Sequence, residues 1–260
     1  MRLPLYQVDA FSKRRFGGNP AAVCPLPKWL PDQRLQQIAA ENNLAETAYF
    51  VAEPDGYRLR WFTPAVEVDL CGHATLAAAF VLMDCMGFGG ERVTFHSRSG
   101  PLIVSRSGEL YTLDFPARPG AAQALDPALA RALGAAPREV LAARDTMCVF
   151  ESSEQVRHLA PDMAALAALE PFGFIATAPG DDCDFVSRFF APKQGIDEDP
   201  VTGSAHCTLT PYWAARLGKD NLFARQISVR GGELWCENHG DRVRISGHAA
   251  LYLTGFIELD

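Results

Sequence analysis

The second half of the chain repeats short patterns of the first half in the same order. Residues 60–64 (RWFTP) recur as residues 188–192 (RFFAP), 128 residues later, and each copy leads through acidic residues to a glycine and an apolar segment. Residues 97–102 align with residues 228–234 at an offset of 131 to 132, and later glycines keep that offset. Ordered matches at a nearly constant offset predict a duplicated unit of about 130 residues.

Each predicted unit is mostly β-structure with one apolar helix. Residues 73–83 are apolar on nearly every side, which predicts a buried helix wrapped by sheet. Its counterpart should run from about Ser204 to Gly218, with Pro211 either kinking it or delaying its start. Runs of β-branched and aromatic residues predict strands in the first unit at residues 3–8, 47–51, 57–62, 93–95, 102–104 and 111–115.

Two more polar helices are predicted outside the sheets, at residues 32–42 and 161–170. A linker at residues 116–120 precedes a helical stretch near residues 127–133. The sequence therefore predicts an α+β fold with two related lobes.

The composition excludes several kinds of partner. The net charge is −7 without a Lys/Arg cluster, so neither nucleic acid nor an anionic membrane would find a basic face. No stretch approaches the roughly 20 consecutive apolar residues of a membrane span, and the first residues lack the apolar segment of a signal peptide. Seven cysteines without a CxxC pair are typical of a reducing compartment. We therefore expect a cytoplasmic protein that binds a small molecule.

The two apolar helices both begin near a glycine, Gly72 in the first unit and Gly203 in the second. Free backbone N–H groups at a helix start favour an anion, and a glycine there lets a carboxylate approach closely. Tight turns explain either glycine alone equally well. The pair favours carboxylate binding in one cleft.

Groups suited to proton chemistry flank both helix starts. Cys71 and His73 lie at the first, and Asp199 and Ser204 lie at the second. Asp199 precedes a proline, which places it in the turn before the helix, and it could equally be an N-terminal cap.

Other titratable residues have weaker claims or competing explanations. His206 and Cys207 lie within a buried helix, where packing explains them better, and no HExxH or CxxC spacing supports a metal. Glu46 begins an apolar strand, where a partly desolvated carboxylate suits acid/base work, although a surface glutamate at a strand edge fits the pattern too. The duplicated position, residues 174–178, holds no glutamate, so a functional Glu46 would make the halves chemically unequal.

Four ordered motifs carry a resemblance to a known family. They are VDAF with FGGNPAAV, then NLAET, then FTP with CGHAT, and finally EDPVTGSA. With these motifs the whole chain resembles the PhzF-like isomerases, named for a phenazine-biosynthesis enzyme and sharing the diaminopimelate epimerase fold. The resemblance implies two pseudo-symmetric lobes, residues 1–117 and 118–260, each a β-barrel-like sheet around a central helix, and the last strand can cross back to the N-terminal lobe. It also implies a homodimer without a cofactor.

The resemblance assigns roles to residues of this sequence. Glu46 matches the family's acid/base. In the epimerase relatives two opposed cysteines act as bases; Cys71 matches the first, but Thr202 occupies the place of the second. A threonine hydroxyl is far too weak an acid for that role, which favours a one-base proton shift by Glu46 on a small carboxylate. The residues implied to bind the substrate are Asn19, Cys71, Gly72, His73, Asp199, Gly203 and Ser204.

Two other functions fit the same residues. One is an amino-acid racemase or epimerase that uses Cys71 together with Glu46 or Asp199 as the second base. The other is a binding protein that keeps the fold without turnover.

Overall fold

The structure, a computed structural model, describes residues 1–260 and divides the chain into two units. Residues 1–114 and 246–260 form the first unit, and residues 115–245 form the second. The unit boundary thus lies three residues before the predicted position. Residues 246–260 fall in the first unit because the last strand pairs along the whole first strand. No helix is both long and apolar enough to cross a membrane.

The first unit contains two helices and most of its residues in strands. Its helices are α1 (Asp32–Asn42) and α2 (Gly72–Phe80), and α2 continues into a π-helical turn at Val81–Cys85. Its strands are β1 (Arg2–Ala10), β2 (Asn19–Leu26), β3 (Glu46–Glu53), β4 (Gly56–Phe62), β5 (Glu67–Val68), β6 (Arg92–Ser97), β7 (Gly100–Ser107), β8 (Leu110–Pro116) and β18 (Ala249–Glu258).

The second unit has the same kinds of element with more helices. Its helices are α3 (Pro127–Leu133), α4 (Ser153–His158), α5 (Met163–Ala167) and α6 (Gly203–Leu217), with a 3-10 turn at Pro192–Gln194. Its strands are β9 (Ala121–Gln123), β10 (Glu139–Ala142), β11 (Thr146–Val149), β12 (Phe174–Pro179), β13 (Phe185–Ala191), β14 (Ile196–Asp199), β15 (Asn221–Gln226), β16 (Gly232–His239) and β17 (Arg242–Gly247).

The strand pairing of the two units follows one plan. In the first, β2 pairs in parallel with β3, β3 antiparallel with β4, β4 antiparallel with β5, β4 in parallel with β6, and β6 antiparallel with β7. In the second, β11, β12, β13, β14, β15 and β16 repeat these five pairings in the same order and sense. The prediction of two pseudo-symmetric lobes in an α+β fold is therefore confirmed.

The core of the first unit forms around α2. Residues 73–79 of this helix are all buried, and they pack against β1, β2 and β3. Four of these seven residues are alanines, Ala74, Ala77, Ala78 and Ala79, whose small side chains let the strands approach the helix closely. The outer helix α1 covers a second cluster through Leu35, Ile38 and Ala39.

The helix predictions differ from the structure at three places. α6 begins at Gly203 and continues through Pro211, so the proline does not delay its start. The helix predicted at residues 161–170 is only the short α5, and α4 before it has no counterpart in the prediction. Both short helices are capped by a side chain, Ser152 for α4 and Asp162 for α5, and they lie on the core of the second unit.

Candidate active site

Two parallel strands bring Asn19 and Glu46 to one edge of the first sheet. β2 begins at Asn19 and β3 begins at Glu46, and Ala21 lies opposite Glu46 in the parallel register. Asn43 ends α1 in the left-handed conformation, with φ of 49°, and so turns the chain toward β3. Because parallel strands run in one direction, their amino ends lie side by side.

His73 lies in the first turn of α2 and contacts both of these side chains. Its Nε2 lies 3.1 Å from Oε2 of Glu46, and its Nδ1 lies 3.2 Å from Nδ2 of Asn19. Neither Nε2 nor Oε2 has an aligned hydrogen bond, so the contact with Glu46 acts mainly through charge. Asn19 and His73 are buried, and the Glu46 side chain is 12 % exposed. The structure therefore joins three of the predicted site residues in one cluster.

Cys71 adds a thiol to this cluster. It is the N-cap residue of α2, and its Sγ lies 3.5 Å from Nδ1 of His73. The Thr75 hydroxyl donates a hydrogen bond to the Cys71 carbonyl oxygen, which fixes the backbone of the helix start. Burial raises the pKa of the Cys71 thiol, and the nearby Glu46 carboxylate raises it further.

The environment of His73 favours its protonated form. Burial alone lowers the pKa of His73, but the charges of Cys71 and Glu46, together with the Cys71 contact at Nδ1, outweigh burial and raise that pKa well above its ordinary value. The carboxylate oxygen of Glu46, 3.1 Å from Nε2, stabilises an imidazolium and so contributes to the raised pKa of His73.

The start of α2 leaves its backbone donors free of side-chain caps. No side chain caps its first N–H groups, and its first turn carries no acidic residue. Gly72 does not have a left-handed backbone, so a tight left-handed turn does not explain this glycine. Uncapped N–H groups beside a histidine and a glutamate form an environment suited to an anionic substrate.

The start of α6 in the second unit is organised differently. Its N-cap residue is Thr202, whose hydroxyl donates a short hydrogen bond to Oδ2 of Asp199. Asp199 ends β14 three residues earlier and does not cap the helix, so the interpretation of Asp199 as the N-cap is wrong. Gly203 and Ser204 are the first two residues of α6, and Thr202 makes no side-chain cap hydrogen bond. The first donors of this helix are therefore also free of a side-chain cap.

Gln226, which the sequence did not single out, holds this second helix start in place. Its Oε1 accepts a hydrogen bond from the backbone N–H of Thr202 at 2.8 Å, and its Nε2 donates to the carbonyl of Asp199 at 2.8 Å. It is 1 % exposed. Nε2 also donates to the Thr202 hydroxyl at 3.2 Å. All these partners lie more than 20 residues away, so no local pattern identifies Gln226. Its burial in a strand is the only trait that could have drawn attention to it.

His206 and Cys207 are buried in the body of α6, as the packing interpretation expects. Nδ1 of His206 donates to the Thr202 carbonyl at 2.9 Å, four residues earlier, and the ring lies against Phe185. Burial lowers the pKa of His206 to about 4, although the backbone hydrogen bond opposes this effect. A neutral ring with Nδ1 protonated is the form that fits.

A partly buried arginine–glutamate pair precedes the helix start in each unit. Arg60 holds Glu67 through two hydrogen bonds of 2.7 and 2.8 Å, and Arg188 holds Glu198 through two of 2.7 and 3.0 Å. These arginines are the first residues of the repeated RWFTP and RFFAP segments. In both units, therefore, this pair attaches the short strand before the helix, β5 or β14, to the neighbouring strand of the sheet.

The donor set of the first unit does not suit one metal ion. Ligand atoms of Glu46, Cys71 and His73 lie within 4.8 Å of one another. The imidazole, however, presents Nδ1 to Cys71 and Nε2 to Glu46, and one ion can bind only one of these two nitrogens. The arrangement fits a histidine placed between two proton-exchanging groups.

Comparison with known proteins places this chain in a family. The family model described as phenazine biosynthesis-like protein (PhzC-PhzF) matches residues 8–255. The chain belongs to the PhzF-like family. A Pseudomonas aeruginosa protein named as an uncharacterized isomerase is 56 % identical over the full length of both chains. The chain is thus an isomerase of this family, as the motifs predict.

Solved structures agree with the fold. A PhzF-family protein from Enterococcus faecalis is 50 % identical, covers both chains completely and superposes with a TM-score of 0.98. A hydroxyproline epimerase from Agrobacterium vitis, solved with bound trans-4-hydroxy-L-proline, is only 12 % identical and has a TM-score of 0.62 over 100 % of this chain and 93 % of its own. The second likeness shows the shared epimerase-like fold alone.

Proposed function

We propose that this PhzF-like chain catalyses a cofactor-independent proton shift on a small carboxylate substrate, with Glu46 as the single acid/base. The observation that carries the proposal is the ion pair between Glu46 and the buried His73 at the start of α2. The Oε2 atom of Glu46 is fully buried against His73, so the exposed part of its side chain excludes that oxygen. We assign Oε1 as the oxygen that meets the substrate.

The proposed step moves one proton between two carbons. The substrate carboxylate binds the free N–H groups at a helix start, and Oε1 of Glu46 removes a proton from an adjacent carbon. The C–H electron pair moves into the conjugated system as the C–H bond breaks and an O–H bond forms. Glu46 then returns the proton to another carbon of that system, and its carboxylate is restored.

The residues implied by resemblance complete the proposal. Asn19, Gly72 and His73 in the first unit and Asp199, Gly203 and Ser204 in the second are proposed to bind the substrate, while Thr202 replaces the second cysteine that a two-base racemase would need.

The seven cysteines are all free thiols, which supports the proposal of a cytoplasmic protein. We also propose a homodimer, to be measured by light scattering of the purified protein.

The test is deuterium incorporation from solvent. The purified protein is incubated in D₂O with a panel of small unsaturated acids and amino acids, and carbon-bound deuterium is measured by NMR. We expect incorporation that Glu46→Gln abolishes and Glu53→Gln preserves, because Glu53 is at the opposite end of β3 and pairs with Arg58. Full incorporation with Glu46→Gln would overturn the proposal.

Two outcomes favour the rival functions. Inversion of an amino-acid centre that requires Cys71, shown by chiral analysis with Cys71→Ala, would indicate a racemase or epimerase. Binding of a panel compound without any exchange would indicate a binding protein of the same fold.

A further inference from the structure

A buried thiol that the proposed function does not use lies on the opposite side of the His73 ring from Glu46. Sγ of Cys71 is 3.5 Å from Nδ1, and Oε2 of Glu46 is 3.1 Å from Nε2. Cys71 is 7 % exposed and His73 is 5 % exposed. We call these three residues the Cys71–His73–Glu46 triad.

The surroundings of Nδ1 restrict where the ring proton can lie. Nδ2 of Asn19 faces Nδ1 at 3.2 Å, and an amide nitrogen is a donor, so Nδ1 accepts and the neutral ring carries its proton on Nε2. Nδ1 has one lone pair, so the thiol of Cys71 can donate to it only in place of the Asn19 amide or by sharing that lone pair. If the thiol proton moves to Nδ1, the ring becomes an imidazolium between a thiolate and a carboxylate, and the Asn19 amide must turn its oxygen toward the ring.

These two arrangements hold the same number of protons. A thiol, a neutral imidazole and a carboxylate have a summed charge of −1, and so do a thiolate, an imidazolium and a carboxylate. One proton can therefore lie on sulfur or on nitrogen without bringing charge into the buried site or removing it.

The electrostatics of both groups fit such sharing. Burial raises the pKa of Cys71, which favours the thiol, while the raised pKa of His73 depends in part on a negative Cys71. At the summed charge of −1, Cys71 cannot be fully a thiol while His73 is fully an imidazolium, because the two groups share one proton. The largest charge effects on His73 come from Cys71 and Glu46.

We propose that Cys71 is a positioning residue that shares a proton with His73 and thereby sets the charge that His73 presents to Glu46. Before turnover, the imidazolium places a positive charge 3.1 Å from Oε2 of Glu46. When Glu46 takes the substrate proton, the N–H bond at Nδ1 breaks and an S–H bond forms at Cys71, so no imidazolium remains beside a neutral carboxylic acid. The inference rests on the proposed function for its part in turnover, since it takes Glu46 as the acid/base.

The test follows the His73 ring in the ligand-free protein. Nitrogen-15 NMR of the histidine rings, recorded against pH, gives the midpoint and the protonated nitrogen for wild type, Cys71→Ala, Cys71→Ser and Cys24→Ala. We expect the His73 midpoint to fall by about one pH unit or more in Cys71→Ala, because the thiolate that stabilises the imidazolium is gone. Cys24 is a buried thiol of β2 in the same unit, and its removal should leave the midpoint unchanged.

If Cys71→Ala is poorly folded, Cys71→Ser provides the same measurement of the His73 midpoint. A serine hydroxyl can donate to Nδ1 but does not ionise, so the midpoint should fall while the neutral ring keeps its proton on Nε2. A His73 midpoint equal to wild type in folded Cys71→Ala or Cys71→Ser would overturn the proton-sharing proposal.

The two proposals fail separately. The ring titration needs no substrate, so an unmoved midpoint in a protein whose exchange requires Glu46 overturns the triad alone. A lowered midpoint in a protein whose exchange survives Glu46→Gln overturns the proposed function alone.

Discussion

Arg188 holds Glu198 by two parallel hydrogen bonds, and both side chains are largely buried, at 13 % and 19 % exposure. The same guanidinium donates to the Leu159 carbonyl at 2.8 Å and the Val156 carbonyl at 3.2 Å, near the C-terminal end of α4. Removing Arg188 would therefore leave the largely buried Glu198 carboxylate and the last carbonyl groups of α4 without these hydrogen-bond donors. Removing one partner of such a bidentate, largely buried pair lowers the stability of the protein much more than removing one partner of a surface ion pair.

We predict that Arg188→Met lowers the free energy of unfolding by about 3 to 5 kcal/mol. The matched variant Arg60→Met should cost less, about 2 to 3 kcal/mol, because Glu67 keeps a second cation, Arg98, at 2.8 Å. Urea unfolding followed by circular dichroism measures both. Equal losses of unfolding free energy in the two variants would contradict this ranking. Partial recovery of the unfolding free energy in Arg188→Met/Glu198→Gln would show that the unpaired Glu198 carboxylate accounts for part of the loss.

Gly18 should be intolerant of a side chain. It has φ of +64°, and a Cβ placed there would lie 2.1 Å from the Ala10 carbonyl oxygen, next to the residue pair that closes β1 on β2. We predict that Gly18→Ala destabilises the protein by more than about 3 kcal/mol and displaces Asn19. Gly108 has φ of +60° in open space, so Gly108→Ala should cost only about 1 kcal/mol. Thermal unfolding of both variants separates steric clash from backbone strain, and similar losses would argue against the clash.

His206 should make the protein acid-sensitive. Its pKa is about 4 in the folded protein and about 6.5 in an unfolded chain, so between these values the unfolded state binds the extra proton. Its contribution is complete above pH 6.5 and is lost as the pH falls toward 4, a loss of roughly 3 kcal/mol. Unfolding free energies at pH 7 and pH 4.5 should differ less in His206→Gln than in wild type.

The control for that measurement is the exposed His239, which pairs with Glu237 on the surface. His239→Gln should leave the difference between the two pH values close to that of wild type. If His206→Gln loses as much stability on acidification as wild type does, other groups dominate the acid response.

We predict that Gln226 stabilises the start of α6. In Gln226→Leu the Thr202 N–H and the Asp199 carbonyl each lose a buried partner, which should cost about 2 to 4 kcal/mol. Amide hydrogen exchange at Thr202 should become faster in the variant. Gln155→Leu removes a comparable acceptor from an exposed site and should cost about 1 kcal/mol or less. Unchanged exchange at Thr202 would show that the helix start is held by other contacts.

Much of the fold follows from the sequence because its signals are local. α1 spans Asp32–Asn42 as predicted, and α6 ends beside Gly218 because that glycine has φ of +66°. The repeated RWFTP and RFFAP segments contain the last residues of β4 and β13, which occupy equivalent places in the two pairing plans. The short helix α4 was missed because six residues give too little periodicity to recognise.

The site was predictable only in part. The parallel pairing of β2 with β3 that brings Asn19 and Glu46 together links strands separated by a helix, and the family motifs supplied that relation where periodicity could not. The contact between Cys71 and His73 depends on the extended backbone of Cys71, with φ of −143°, because residues two apart within a helix do not face each other. Gln226 acts on backbone groups distant in sequence and carries no motif.

The return of β18 to pair with β1 has a consequence for synthesis on the ribosome. The second unit is contiguous, residues 115–245, whereas the first needs residues 1–114 together with 246–260. A nascent chain can therefore complete the later unit while the earlier one still has an open sheet edge along β1. That exposed edge is where chaperone binding or misassembly during translation would concentrate.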